Sequence, residues 1–450
     1  MTSTLAELQN RVAQQKTRLP AMYGAIDFGT RPERFTDDPA AETAMRTELA
    51  HERPRLLADT TQVATIEAFT MLGDTVADAY AALLPHLGFR TLVDMLDRAC
   101  DLGIDAVTDP PAELVALITD MEYVPDWIDM DLVREGARLE RNSFAHAAPY
   151  AIRGAFVGTF LNTYAALPMA LTGALDQNSA AQRIKETAAF FSGSVLPGAL
   201  DRHGAGFKAA AKVRLMHSMV RYNILRRSTW DSTVYGIPIP QADQMPAGLI
   251  TAFQLSLRVL RSGRQEFTPD ERALIEFARY RAHLLGLPEE LLPDTPRQLV
   301  DVLATRHATL RKAYDDATCG ALVRATMAAY LEPDTSFTSR IRDRFERSFS
   351  KAFFIRSFLA ADNDRATQMG IGLTRTDKLR ATCVGLAIGT QMALYHALLK
   401  IPATANAADA RLIMKLNHDL HRLGRPAFTT NAAAYPSTPH TTTPQHPSNA

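Results

Sequence analysis

Three short segments carry residues with the chemistry to act on a small molecule. In Lys212-Val213-Arg214-Leu215-Met216-His217-Ser218-Met219-Val220-Arg221, a helical repeat puts Arg214 and Arg221 on the face of His217, one turn to either side. Two fixed cations lower the pKa of a histidine between them and favour the neutral ring. A neutral imidazole is the metal-ligating form, and guanidinium groups suit a large dianionic ligand lying across the helix. Haem b has both properties, an iron for the imidazole nitrogen and propionates for the arginines. A solvated basic face with an incidental histidine fits the same residues, and the spacing alone favours it.

Upstream, Arg183 and Thr187 stand four residues apart in Arg183-Ile184-Lys185-Glu186-Thr187, followed by Phe190 and Phe191. On a helix this sets an arginine, a hydroxyl and aromatic rings over a cofactor. Donors in a dry pocket help decide whether bound O2 is stored, released or activated. A surface helix whose threonine bonds back to the preceding turn fits the segment too, and the segment alone favours it. The third segment, Tyr235-Gly236-Ile237-Pro238-Ile239-Pro240-Gln241-Ala242-Asp243, is stiffened by two prolines and predicts a fixed loop between helices. Alone it indicates no function.

The elements that must position these residues are helices. Ala, Leu, Arg and Met dominate, and alternating β-branched runs are scarce. Apolar spacing predicts helices over residues 61–84, 131–145, 179–192, 206–225, 247–261, 269–285, 339–360, 376–399 and 407–423. Thr268-Pro269-Asp270-Glu271 reads as a cap, an N1 proline and two first-turn acids. The Pro/Gly-rich connections are too short for interdomain linkers. The expectation is one large all-α domain over residues 60–423, with a partly helical N-terminal arm over 1–59 and a disordered Thr/Ser/Pro-rich tail over 424–450.

Bulk composition narrows the function. The 450 residues carry 49 Lys+Arg against 49 Asp+Glu, which excludes a broadly basic nucleic-acid binder. Cys100, Cys319 and Cys383 lie far apart, so covalent haem attachment, iron–sulfur ligation and zinc fingers find no ligand set. No nucleophile elbow, P-loop, dinucleotide fingerprint or HExxH is present. Residues 154–175 and 381–399 hold no charged side chain apart from neutral His396, and each approaches membrane-spanning length. Their Ala, Gly and Thr content, with Asn162 and Gln391, predicts helices buried on all sides, with membrane contact the less favoured reading. The N-terminal fifty residues have scattered charges and no apolar run of signal length, which predicts a cytoplasmic protein.

Taken in order, the segments resemble the haem-dependent oxygenase family that includes bacterial latex-clearing protein, a rubber oxygenase, and the fungal ER-bound oxygenase of mycophenolic acid biosynthesis. The matching pieces are Val124-Pro125-Asp126-Trp127, the uncharged stretch near Gly158, Arg183-x-x-x-Thr187 and Arg214-x-x-His217-x-x-x-Arg221. The Gly-x-Pro-Ile-x-Gln-x-Asp loop and the Leu284–Pro293 run complete the set. The resemblance implies an all-α, globin-like core holding non-covalent haem b. It makes His217 the proximal iron ligand, Arg214 and Arg221 the arginines beside it, and Arg183 and Thr187 the distal-side pair. Phe190 and Phe191 would line a pocket for an apolar, isoprenoid or lipid-like substrate whose C=C bond is oxidised or cleaved with O2.

Two departures qualify the parallel. Glu186 stands where the rubber oxygenases carry a lysine, and residues 162–172 contain no acid where those enzymes place a glutamate base. Glu186 is therefore the expected substitute carboxylate. The rubber polymer is not carried over as substrate, since it cannot enter a cell. A non-catalytic haem protein (carrier, sensor or redox partner) and a haem-free helical protein binding lipid or a partner remain open, and the oligomeric state is not legible.

Overall fold

Helix boundaries follow the capping chemistry. Thr268 accepts from the Glu271 backbone and Glu271 reaches back to Thr268, so the helix Pro269–Leu284 starts with the expected cap. Asp129 caps Met130–His146 and Thr374 caps Arg375–Lys400 by the same kind of bond. A computed structural model describes residues 4–173, 177–227 and 229–424. These form helices joined by turns and loops, with no strand among the described residues. Two isolated bridges, Phe35 to Leu310 and Thr43 to Arg311, are the β-type pairings. The all-α expectation holds; the tail beyond residue 424 and the end of the 154–175 stretch lie outside the described residues.

One continuous apolar cluster runs from Leu8 to Leu416 and binds the layers together. It includes Leu215, Met219 and Tyr222 from the helix Ala205–Arg227 and Phe190 from the helix Gln177–Ser194. Burying a side chain such as Leu215 stabilises the fold by about 1.5–3 kcal/mol. A second cluster around Val157, Phe160, Phe354 and Leu359 joins the helices Ala148–Val157 and Phe337–Phe358.

Four expectations are corrected. The predicted helix over 61–84 is two helices, Thr60–Thr70 and Thr75–Ala81. Asp74 caps the second by accepting from the Ala77 backbone, and the Gly73 backbone donates to Gln15 instead of continuing a helix. The expected boundary near residue 60 does not divide the core: Leu8, Val12, Tyr23 and Ile26 of the N-terminal arm belong to the main core. The 154–175 stretch is not one helix, since its pieces meet at 108°. Last, residues 381–399 are not buried on all sides. In the helix Arg375–Lys400 only Ala381 and Val384 are buried, and it is long and apolar enough to cross a membrane.

Candidate active site

His217 sits mid-way along the helix Ala205–Arg227 and is half-buried. Burial drives its imidazole down to about 4; Arg221 and Arg183 push the same way, and Gln244 and Asp74 oppose them. Neutrality at physiological pH is thus as expected, but burial is its larger cause rather than the flanking cations. Nδ1 lies 3.0 Å from Gln244 Oε1, and Nε2 has no hydrogen bond among the described residues. Gln244 Nε2 donates to Gln241 Oε1 at 3.2 Å, and Gln241 Nε2 donates to the carbonyls of Gly286 and Gly73 at 3.1 and 3.3 Å.

The loop that delivers these glutamines is pinned from three sides. Arg221 donates through Nε to the Pro238 carbonyl at 2.9 Å and through Nη2 to the Ile239 carbonyl at 2.7 Å. Ile239 has φ 49°, a left-handed conformation strained for a β-branched residue. Arg34 and Arg306 both donate to Asp243, each at 2.7 Å. The helix begins at Gln241, six residues before the sequence-based start, and runs through Pro246. Proline cannot donate to the Ala242 carbonyl four residues back. Arg306 Nε takes that acceptor at 3.0 Å, which keeps the irregular turn satisfied.

Arg214 and Arg221 are corrected in role. Arg214 donates through Nε and Nη2 to Asp74 at 2.7 and 2.9 Å and through Nη1 to Asp120 at 2.7 Å. Arg221 Nη1 pairs with Asp78, which also accepts from the Tyr23 hydroxyl at 2.5 Å. Both guanidinium groups are thus neutralised inside the protein and clamp the His217 helix to the helix Thr75–Ala81. They are not free cations aimed at a propionate. Asp74 is held below the usual carboxylate range: burial raises it, but Arg214, the Ala77 backbone N–H and Arg221 together more than offset the burial.

The second predicted segment lies against the first. Helices Gln177–Ser194 and Ala205–Arg227 pack together. Arg183, Thr187 and Phe191, at i, i+4 and i+8, keep partial exposure, as do Ala209, Val213 and His217 on the facing helix. The charge of Arg183 reaches the His217 ring. Phe190 is buried in the core and meets Phe191 edge-on at 5.1 Å. Glu186 is not an available base: it accepts from Gln182 Nε2 at 2.9 Å and lies 3.5 Å from Arg183 Nη1.

Among the described residues no group of three His, Cys, Asp or Glu could hold a metal ion. A metal at His217 would therefore take one protein nitrogen and draw its other ligands from elsewhere, as a porphyrin iron does. The donor chemistry fits on the imidazole side: a neutral ring, Nδ1 engaged by an acceptor, Nε2 open. Sequence reading missed Asp74, Asp78, Gln241 and Gln244 as parts of this site. The Gly73-Asp74-Thr75 helix start and the Gln-x-x-Gln after the proline loop are the signals that mark them.

Fold and site define an all-helical protein in which the neutral His217 ring is held by a glutamine amide beside the helix Gln177–Ser194. The chain belongs to the family described as ER-bound oxygenase mpaB/B'/rubber oxygenase, catalytic domain, whose model matches residues 144–390. That span holds Arg183, Thr187, His217 and both glutamines, whereas Asp74 and Asp78 precede it. The chain is 27% identical over 195 residues to the rubber oxygenase of Streptomyces sp. (strain K30), covering 41% of this chain and 46% of that relative, less than half its length. The structure of latex clearing protein LCP in the closed state is similar in fold, with a TM-score of 0.54 at 19% identity over 78% of this chain and 91% of that one.

Proposed function

We propose that this protein is a haem b-dependent oxygenase that uses O2 to oxidise or cleave a C=C bond of an apolar, isoprenoid or lipid-like substrate. The observation that carries the reading is the His217 ring, neutral, hydrogen-bonded at Nδ1 and open at Nε2. His217 would hold the iron through Nε2. When bound, the haem supplies the activation of O2. Gln244 holds the proton at Nδ1, so the ring stays neutral and oriented. On the facing helix, Thr187 offers a hydroxyl able to donate or accept, and Arg183 a fixed cation beside the reacting space. Phe191, partly exposed on the face of Arg183 and Thr187, would line the path of an apolar substrate, with Phe190 packed behind it in the core.

The test is the absorption spectrum of the purified protein after haem supplementation. A Soret band is expected, lost in His217→Ala while the helical circular dichroism is kept. No band, or an unchanged band in the variant, overturns the reading. Labelled O2 supplied with an isoprenoid or fatty-acid panel then reports the substrate class. One observation favours a haem protein without turnover: Glu186 is tied to Gln182 and Arg183 and is no free base. Bound haem without O2 consumption on any member of the panel would establish that second reading.

A further inference from the structure

The amides that lead away from His217 have only one self-consistent orientation. A backbone carbonyl can only accept, so the Gln241 group facing Gly73 and Gly286 must be its NH2. Its oxygen then faces Gln244, which must answer with its own NH2. That leaves the Gln244 oxygen for His217, and the imidazole proton is thereby assigned to Nδ1. The chain of amides carries a choice made at two backbone carbonyls to a ring nitrogen on another helix.

Its anchors are themselves locked. Gly73 and Gly286 have no room for a Cβ: at Gly73 it would collide with Asp78 and Tyr23, at Gly286 with Asp74 and Arg214. Gly286 also has φ +85°, which glycine adopts without strain. The ion pairs that clamp the His217 helix therefore press against the two glycines whose carbonyls accept from the relay. Gln15, accepting from Gly73 N at 2.9 Å and donating to Met71 O at 2.8 Å, fixes the first anchor from the opposite side.

We propose that Gln244, oriented by Gln241, is a positioning residue that fixes the Nδ1–H tautomer of His217 and limits how much electron density the imidazole gives to a bound iron. The second half rests on the haem reading above; the first half does not. A neutral amide is a weaker acceptor than the carboxylate often paired with metal-bound histidine, so it leaves the ring an imidazole rather than an imidazolate. The device holds the proximal ligand at intermediate donor strength.

Two measurements separate the halves. In the haem-free full chain with isotope-labelled histidine, nitrogen NMR should show His217 as the Nδ1–H tautomer at neutral pH. Gln244→Leu should shift it toward a mixture with Nε2–H, and Gln241→Leu, which never touches the ring, should shift it the same way by less. A native Nε2–H tautomer, or tautomer populations unmoved in both variants, overturns the relay. In the haem-loaded chain, Gln244→Glu should lower the iron reduction potential and raise the ferrous iron–histidine stretching frequency. Gln244→Leu should move both the other way. Shifts of one sign in both variants, or none in either with the Soret band kept, overturn the tuning role. A wild-type chain that takes up no haem overturns the tuning half and leaves the tautomer result to stand on its own.

Discussion

Arg221 and Asp78 form an ion pair in which neither side chain has any solvent exposure. Burial drives the Asp78 carboxyl up to about 6 against the pull of Arg221, so the pair is still ionised at neutral pH. Removing one partner strands a buried charge, which costs about 3–5 kcal/mol. Asp78→Asn should therefore lower the urea midpoint sharply. The double variant Asp78→Leu with Arg221→Met removes both charges and should be less destabilised than the single change. Equal losses in single and double variants would show that the pair contributes packing rather than charge balance.

Arg214 separates the two roles open to the arginine beside His217. Its donors go to Asp74 and Asp120, not toward the accessible face. Arg214→Met should lower the melting temperature, because Asp74 loses its partner while only 5% exposed. Haem affinity of the folded fraction should stay within a few-fold of wild type. A propionate partner would behave otherwise, since loss of a charge-assisted bond of about 1.5–3 kcal/mol weakens binding by roughly 10–100-fold. Haem titration below the melting transition decides.

How far the site was legible depends on the distance over which each cause acts. The shared face of Arg214, His217 and Arg221 follows from one helical repeat, and Pro238 and Pro240 mark the segment before Gln241 as a connection between helices. What neutralises the arginines was not legible, because Asp74 and Asp78 lie about 140 residues away and only tertiary packing brings them in. The apolar spacing of Val63, Ile66, Phe69 and Val76 runs on across Gly73, which hid the helix break that presents both acids. The uncharged run at 381–399 has the composition of a core helix. Whether neighbours cover it is settled by packing, and Leu386, at 68% exposure, is left bare.

His307 supplies a pH dependence distinct from the site. Burial, aided by Arg306, drives its ring down to about 4, while its Nδ1 lies 2.7 Å from the Leu303 carbonyl. In the unfolded chain the same ring titrates near pH ~6.5. Between these values the unfolded state binds more protons than the native state, so stability rises with pH there. The contribution is complete above about pH 6.5 and is lost as pH falls toward 4, by about 3 kcal/mol. His307→Leu removes the titration and should flatten the urea midpoint between pH ~4.5 and ~7. A residual slope of the same sign belongs to His217, His283 and His146, whose rings burial also lowers, with the raised Asp78 carboxyl acting against them. An unchanged profile in the variant would mean that His307 protonates as easily in the fold as out of it.

On the proposed reading, Thr187 and Arg183 are the side chains through which the facing helix would influence O2, and each can be changed without altering the length or branching of the side chain. Thr187→Val keeps the branched shape and deletes the hydroxyl; Arg183→Met keeps length and removes the charge. Arg183 lies 3.5 Å from Glu186, which is buried but keeps its bond from Gln182, so Arg183→Met should cost some stability, and circular dichroism of the variant checks that the fold is kept. If these groups stabilise charge that develops on oxygen, each variant should bind haem with an unaltered Soret band yet turn over about 100-fold more slowly, the size of effect seen when one preorganised donor is removed. The two losses should also combine less than additively, because both act on the same reacting atoms. Full activity in Thr187→Val together with Arg183→Met would assign oxygen control to residues outside this helix, and a lost Soret band would make the pair structural supports of the cofactor pocket.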